Sequence, residues 1–151
     1  MKIKPIILVA GEPNSIFLEI FFKALKKKNY KSPLILVCCK KLLLQRMKEC
    51  QFKKKLRIFK INELKKMNID NKSINLIDIK LQKLSNKKDE NKLSKIYINE
   101  LFDVAFQLIK NKFTKKFING PVNKKTFLNK KFLGVTEFIS KSFRIKKSGM
   151  L

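Results

Sequence analysis

Two short, wholly apolar runs constrain the fold of this chain more than any other feature. The first covers residues 5–10 and stops at Gly11, and the second covers residues 34–38 directly after Pro33. A strand with one solvated face alternates apolar and polar side chains, and neither run does so. Both runs therefore predict parallel strands that are buried on both faces of a sheet.

Segments with helical spacing of apolar residues follow these runs. We expect a helix after Gly11, a short helix over residues 41–50, and a longer one of about four turns from Ser94. The side chains predicted to face the core are Phe17, Ile20, Phe21, Ala24 and Leu25 in the first, Leu42, Leu43 and Met47 in the second, and Tyr97, Leu101, Val104, Ala105, Leu108 and Ile109 in the third. Alternation of buried strands with such helices predicts an α/β fold with a mainly parallel, layered sheet.

The rest of the chain completes one α/β region over residues 1–151. Further strands are predicted at residues 56–59 and 117–119. Residues 61–93 are polar, and we interpret them as an irregular excursion that carries one edge strand over residues 74–79. Within it, residues 85–91 have the composition least typical of ordered structure.

The charge balance raises the question of a polyanionic partner. The chain has 37 Lys and Arg residues against 11 Asp and Glu, a formal net charge of +26. Only Arg46, Arg57 and Arg144 are arginine, the side chain that reads bases and grips phosphates in a fork. Lysine pairs and triples occur along the whole chain, so we favour solvated lysine over a specific nucleic-acid interface. Non-specific binding of polyanions at low salt is still expected.

Cysteine usage and hydropathy indicate a cytoplasmic protein. Cys38 and Cys39 are adjacent, Cys50 stands alone, and no C-x-x-C pair is present to bind zinc or to act as a redox pair. We expect all three to be small buried hydrophobic residues. No apolar run approaches the roughly 20 residues that span a bilayer, so no membrane segment is predicted.

Polar residues follow two of the predicted strands and form candidate sites. The turn after the first strand offers Glu12, Asn14 and Ser15 as ligand contacts, with Asn14 or Ser15 also placed to cap the next helix. The last predicted strand enters a Gly-Pro turn followed by Asn123, Lys124 and Lys125. On spacing alone, this corner is either an ordinary strand-turn-helix connection or a binding site.

Three motifs in order support a family resemblance. The opening of the chain, with its strand and Gly11-Glu12-Pro13 turn, resembles that of the 4-hydroxythreonine-4-phosphate dehydrogenases. The stretch Gly120-Pro121-Val122-Asn123-Lys124 resembles the same family's G-P-[VI]-[HN]-K element. The stretch from Gly134 to Phe138 resembles its G-H-T-E-[FY] element.

The resemblance implies a fold similar to isocitrate and isopropylmalate dehydrogenases and a homodimer. It also implies NAD-dependent oxidation and decarboxylation of 4-hydroxythreonine phosphate, a step in pyridoxal phosphate (pyridoxine) biosynthesis. A divalent metal held by histidines of both subunits is implied as well. Family members are about twice as long, so the resemblance covers their N-terminal part only.

The resemblance carries four residues over as substrate contacts: Asn123, Lys124, Val135 and Thr136. Lys124 is expected to attract the substrate phosphate or to be merely solvated, and Asn123 to contact ligand or to shape the turn. Val135 replaces the family's histidine and has no side-chain group for hydrogen bonding. Glu137 is a base, a structural partner or a residue that complements the start of a helix, and we favour the last role.

The chain departs from the family in having no histidine. No metal site of the family type can form from its residues, and we assign no metal ligand, catalytic residue or NAD contact within it. We expect a truncated gene product or a fragment that is inactive alone, or a non-catalytic subunit that pairs with a longer paralogue. The alternative function is that of a small lysine-rich protein that binds RNA or another polyanion.

Overall fold

A computed structural model describes residues 3–82, 90–128 and 132–145 of the chain. In these ranges five strands form one sheet, and every pairing in it is parallel. The strands are β1 Ile6–Val9, β2 Leu34–Cys38, β3 Leu56–Ile58, β4 Ile74–Asp78 and β5 Lys116–Asn119, in the spatial order β3-β4-β2-β1-β5. The predicted parallel α/β fold is confirmed.

Helices cover both faces of this sheet. They are α1 Phe17–Lys27, α2 Lys40–Glu49, α3 Glu90–Lys110, α4 Lys124–Phe127 and α5 Val135–Ser142, with a short 3₁₀ turn at Leu64–Lys66. One face packs against α1 and α2, and the other against α3, α4 and α5. This arrangement explains why β1 and β2 lack polar residues: side chains pointing to either face enter a core.

Helix α3 forms the centre of the second layer. Its buried residues include the predicted Tyr97, Leu101 and Ala105. Ile98, Phe102 and Phe106 are buried as well, so the helix is covered over a wider arc than the predicted single stripe. The wider arc arises because α3 lies between the sheet and the aromatic side chains of α4 and α5.

The predicted inward face of α1 is partly wrong. Ile20 is 53% exposed, whereas Leu18 and Phe22, which the prediction left out, are buried. The Phe22 ring stacks on Phe52 with their centroids 4.6 Å apart. Because Phe22 packs on the α2–β3 connection, the buried face of α1 includes Phe22 and leaves Ile20 exposed.

The edge-strand prediction for residues 74–79 is also wrong, because β4 lies between β3 and β2. The polar composition of residues 61–93 suggested an edge strand, but the buried Asn75 side chain donates to the carbonyls of Leu34 and Asp70, at 2.9 and 2.6 Å. An amide that finds such partners can occupy an internal strand. Of the stretch 85–91, residues 85–89 lie outside the described residues, whereas Glu90 and Asn91 begin α3, so for these two the prediction of least order is wrong.

Candidate functional site

The order of the strands makes the chain diverge at the ends of β1 and β5, and we call the surface at this point the β1/β5 crevice. These strands are neighbours, but β1 leads to α1 on one face of the sheet and β5 leads to α4 on the other. Ligands of open α/β sheets bind where the chain diverges in this way, at the carboxyl ends of the strands. The two candidate loops predicted from the sequence meet at this point.

Two glycines allow the loops to pack backbone against backbone. Gly11 has φ +76, and a Cβ atom there would lie 2.3 Å from the carbonyl oxygen of Pro121. A Cβ at Gly120 would lie 2.1 Å from the carbonyl oxygen of Ala10. The Glu12 N–H donates to the Pro121 carbonyl at 2.8 Å, so the loops are joined directly beyond the strands. No larger residue fits either position without moving the backbone.

Glu12 connects three segments of the site. One carboxylate oxygen accepts a hydrogen bond from the backbone N–H of Asn123 at 2.9 Å. The other accepts from the Ser94 hydroxyl of α3. Glu12 was predicted as a ligand contact, but its partners are 82 and 111 residues away along the chain. Ser94 was predicted only as a helix start, because no local pattern points to this bond.

Asn123 and Lys124 form the start of α4. The Asn123 side-chain oxygen accepts from the Lys125 N–H at 3.1 Å, the hydrogen bond expected of a residue that begins a helix. The side chains of Asn123, Lys124 and Lys125 are exposed. The backbone of Asn123 is held by Glu12, so the position of Lys124 is fixed relative to the β1 loop.

The turn after β1 borders a cavity of about 290 Å³ beside Glu12, Asn14 and Ser94. This volume is just below the usual range for small-molecule sites. None of the residues predicted as substrate contacts (Asn123, Lys124, Val135 and Thr136) lines this cavity. The predicted cap of α1 is confirmed only in part, because the N-cap residue is Ile16, one position after Ser15, and Ile16 makes no side-chain cap hydrogen bond. Ser15 accepts from the Phe17 N–H only over a long 3.5 Å.

Val135, Thr136 and Glu137 form the first turn of α5. Val135 packs against the core below α3, and Thr136 is half-buried. The predicted helix-start position of Glu137 is confirmed. One of its carboxylate oxygens would be 2.9 Å from a Cβ at the N-cap Gly134, so the carboxylate folds back over the start of the helix. The rings of Phe138 and Phe127, 5.1 Å apart, join α5 to α4.

The strand next to β1 ends in buried groups that the sequence did not suggest as partners. The Tyr97 hydroxyl of α3 accepts from the Cys39 N–H at 2.8 Å. Burial raises the pKa of the Tyr97 hydroxyl and the pKa of the Cys38 thiol. The predicted burial of Cys38 and Cys39 is confirmed, whereas Cys50 is half-buried; the three cysteines are free. The raised pKa makes Cys38 an unreactive neutral thiol.

Comparison with solved structures identifies proteins of similar fold. A Salmonella typhimurium protein, provisionally named a 4-hydroxythreonine-4-phosphate dehydrogenase, superposes with a TM-score of 0.75 at 18% identity, over 95% of this chain and 46% of its own. The 4-hydroxythreonine-4-phosphate dehydrogenase of Klebsiella pneumoniae gives a TM-score of 0.72 at 19% identity, over 93% of this chain and 45% of the enzyme. The enzyme of Burkholderia phymatum gives 0.68 at 16% identity, over 95% and 45%.

This chain therefore spans less than half the length of the solved proteins it resembles, and the predicted resemblance is confirmed for the fold. No protein-family model matches the chain, and no curated protein matches its sequence. Among the described residues, no helix has the length and apolar character needed to cross a membrane.

Proposed function

We propose that residues 1–151 form a single α/β region equivalent to the N-terminal part of a 4-hydroxythreonine-4-phosphate dehydrogenase, and that its β1/β5 crevice binds a phosphorylated small molecule. The observation that carries this proposal is the placement of the Gly120-Pro121-Val122-Asn123-Lys124 motif. It lies at the divergence of β1 and β5, in a fold that superposes on such dehydrogenases over 95% of the chain. We also propose that the protein is cytoplasmic. Its three cysteines are free, as is usual in a compartment that keeps thiols reduced.

The residues assigned to substrate have distinct roles. Lys124 supplies an exposed ammonium for the phosphate, and Asn123, whose side-chain oxygen accepts from the Lys125 N–H, shapes the turn beside it. Thr136 contributes a hydroxyl from α5, and Val135 contributes shape alone. Glu12 orients the corner by holding the Asn123 backbone.

The divalent metal of the resembled family does not fit this chain. The chain has no histidine, and the described residues contain no group of three or more His, Cys, Asp or Glu side chains that could hold an ion. NAD does not fit the β1 turn either, because a carboxylate, Glu12, occupies the crevice where a dinucleotide fold brings Gly-rich backbone to the pyrophosphate. We infer that the chain binds substrate but does not oxidise it without a second polypeptide, such as a longer paralogue.

The test is a calorimetric titration of the purified chain with 4-hydroxythreonine 4-phosphate. We expect Lys124→Gln to weaken binding by roughly tenfold to a hundredfold, because a charge-assisted hydrogen bond to phosphate contributes about 1.5–3 kcal/mol. The matched variant is Lys125→Gln, which removes the same charge one residue later and should change affinity less than about twofold.

Two results would contradict the proposal. Equal effects of the two substitutions would mean that net charge alone attracts the phosphate. A parent chain that shows no detectable binding would refute the assignment of the substrate site. Separately, substrate-dependent reduction of NAD by this chain alone would refute the inference that a second polypeptide is needed.

A further inference from the structure

An exposed lysine precedes each of the five strands. Lys4, Lys31, Lys55, Lys72 and Lys115 lie no more than three residues before β1, β2, β3, β4 and β5, respectively, and all are exposed. Because the strands are parallel, they begin at the same side of the sheet. These lysines therefore lie along one border of the molecule, which we call the amino edge.

The helices bring further lysines to the amino edge. Helices α1, α2 and α3 each return the chain from the end of one strand toward the start of another, and they end in Lys26-Lys27, Lys48 and Lys110. The ammonium of Lys26 is 5.8 Å from the centre of the Phe52 ring. This contact places the end of α1 beside the α2–β3 connection, which carries Lys53–Lys55.

Acidic residues in the connections to these strands are already engaged. Glu49 forms a salt bridge with Arg46 at 2.8 Å. Asp70 accepts from the Lys72 N–H at 2.9 Å, and Glu63 accepts from the Lys60 N–H at 3.3 Å. The opposite border carries lysines too, among them Lys40, Lys60 and Lys80, beside the acidic Glu12 and Asp78. Lysines outnumber acidic side chains at the amino edge, where each of the five strands is preceded by one.

A groove of about 450 Å³ opens at the amino edge. Its lining includes Lys4, Lys31 and Lys65 around an apolar floor that contains Pro5, Pro33 and Phe113, and no Asp or Glu side chain of the described residues lines it. The floor is anchored in the sheet, because the Pro33 carbonyl accepts from the Ile6 N–H at 2.8 Å and the Pro5 carbonyl accepts from the Thr114 hydroxyl.

We propose that the amino edge binds single-stranded nucleic acid without sequence preference. The lysines would contact successive phosphates, and an unstacked base would lie on the apolar floor of the groove. The scarcity of arginine agrees with this mode, since phosphate contacts position a strand without reading its sequence. A duplex keeps its bases stacked and would leave the floor unused, which favours the single strand.

The test measures fluorescence anisotropy of a labelled oligothymidylate of about 15 nucleotides with two variants of equal charge. The amino-edge variant carries Lys4→Gln, Lys31→Gln and Lys65→Gln. The control carries Lys40→Gln, Lys60→Gln and Lys80→Gln at the opposite border. All six side chains are exposed, so both variants are expected to keep the circular dichroism spectrum of the parent chain and to share one melting temperature.

We expect the amino-edge variant to bind the oligonucleotide roughly tenfold to a hundredfold more weakly at about 0.1 M salt. The slope of log K against log salt should become less steep by about 2, because each phosphate contact to a single strand contributes about 0.7. The control should lose less than about threefold.

Equal losses in the two variants would overturn the proposal, because they would show attraction by net charge alone. Tighter binding of a duplex of the same length would overturn it as well. If the triple variant did not fold, Lys72→Gln with Lys115→Gln would provide the measurement, with an expected slope change of about 1.4. These variants retain Lys124, so the outcome for nucleic acid is independent of the outcome for the phosphorylated substrate.

Discussion

Gly11 and Gly120 determine how closely the two candidate loops approach. Each glycine faces a backbone carbonyl oxygen of the other loop at a distance that excludes a Cβ atom. Backbone atoms cannot rotate aside as a side-chain tip can, so relief of such a contact would separate the β1 and β5 loops. The geometry of the crevice therefore depends on the absence of two side chains.

Gly120→Ala is expected to lower the free energy of unfolding by about 3 kcal/mol, because its Cβ would meet the Ala10 carbonyl oxygen at 2.1 Å. The measurement is urea denaturation followed by circular dichroism. Gly134→Ala is the matched control: its nearest neighbour is the mobile end of Glu137 at 2.9 Å, and a cost below about 1 kcal/mol is expected. Equal costs for the two substitutions would show that the loops are not in contact as described.

The residues of this corner differ in how far the sequence could predict them. Gly11, Glu12, Gly120 and Asn123 could be selected as candidates because they follow apolar strands. The bond from Ser94 to Glu12 could not, because it joins residues 82 positions apart and depends on where α3 lies over the sheet. Local patterns identify which residues are available, whereas tertiary packing decides which ones meet.

Helix α3 contacts the sheet and the two helices that follow β5. Its Phe102 ring lies 5.8 Å from Phe117 of β5, 5.3 Å from Phe127 of α4 and 5.5 Å from Phe138 of α5. A single buried side chain thus links the element that supplies Ser94 to those that carry Lys124 and Thr136.

Replacement of Phe102 with Ala should destabilise the protein by about 3–5 kcal/mol, because it removes a buried ring and leaves a cavity among three elements. Thermal unfolding monitored by circular dichroism measures this loss. Asp103→Ala changes the next residue of the same helix, which is exposed, and should alter stability by less than about 0.5 kcal/mol. A small effect at Phe102 would contradict its central place in the core.

The sequence predicted an element correctly where all of its residues lie in the same kind of environment. Strands β1 and β2 are apolar throughout and were identified from that fact. Strand β4 was misplaced because the segment around it, residues 61–93, is polar, although Asn75 itself donates to the Leu34 and Asp70 carbonyls in the interior. In α1, Ile20 fits the apolar periodicity as well as Phe22 does, and only the stacking of Phe22 on Phe52 distinguishes them.

For the whole molecule, the main electrostatic property is the net charge of +26. Mutual repulsion of lysines opposes the compact state, and dissolved salt weakens it. Raising the salt concentration from about 0.01 to 0.1 M shortens the Debye length from about 30 to about 10 Å.

We therefore expect the melting temperature to rise over this salt range, by about 2–4 °C for each kcal/mol gained. Differential scanning calorimetry in sodium chloride and in potassium chloride measures the rise and shows whether it depends on the cation. The two three-lysine variants should show a smaller rise than the parent chain. A melting temperature that falls with added salt would mean that attractive ion pairs outweigh the repulsion.

The lysines that precede the strands also give the molecule a direction. A protein with a continuous row of exposed lysines along one border adsorbs to an anionic resin or mineral surface preferentially by that border. In this chain the amino edge would face such a surface, and the β1 and β5 loops at the other end of the strands would face the solution. An immobilised sample would then present its candidate substrate crevice outward without any engineered attachment point.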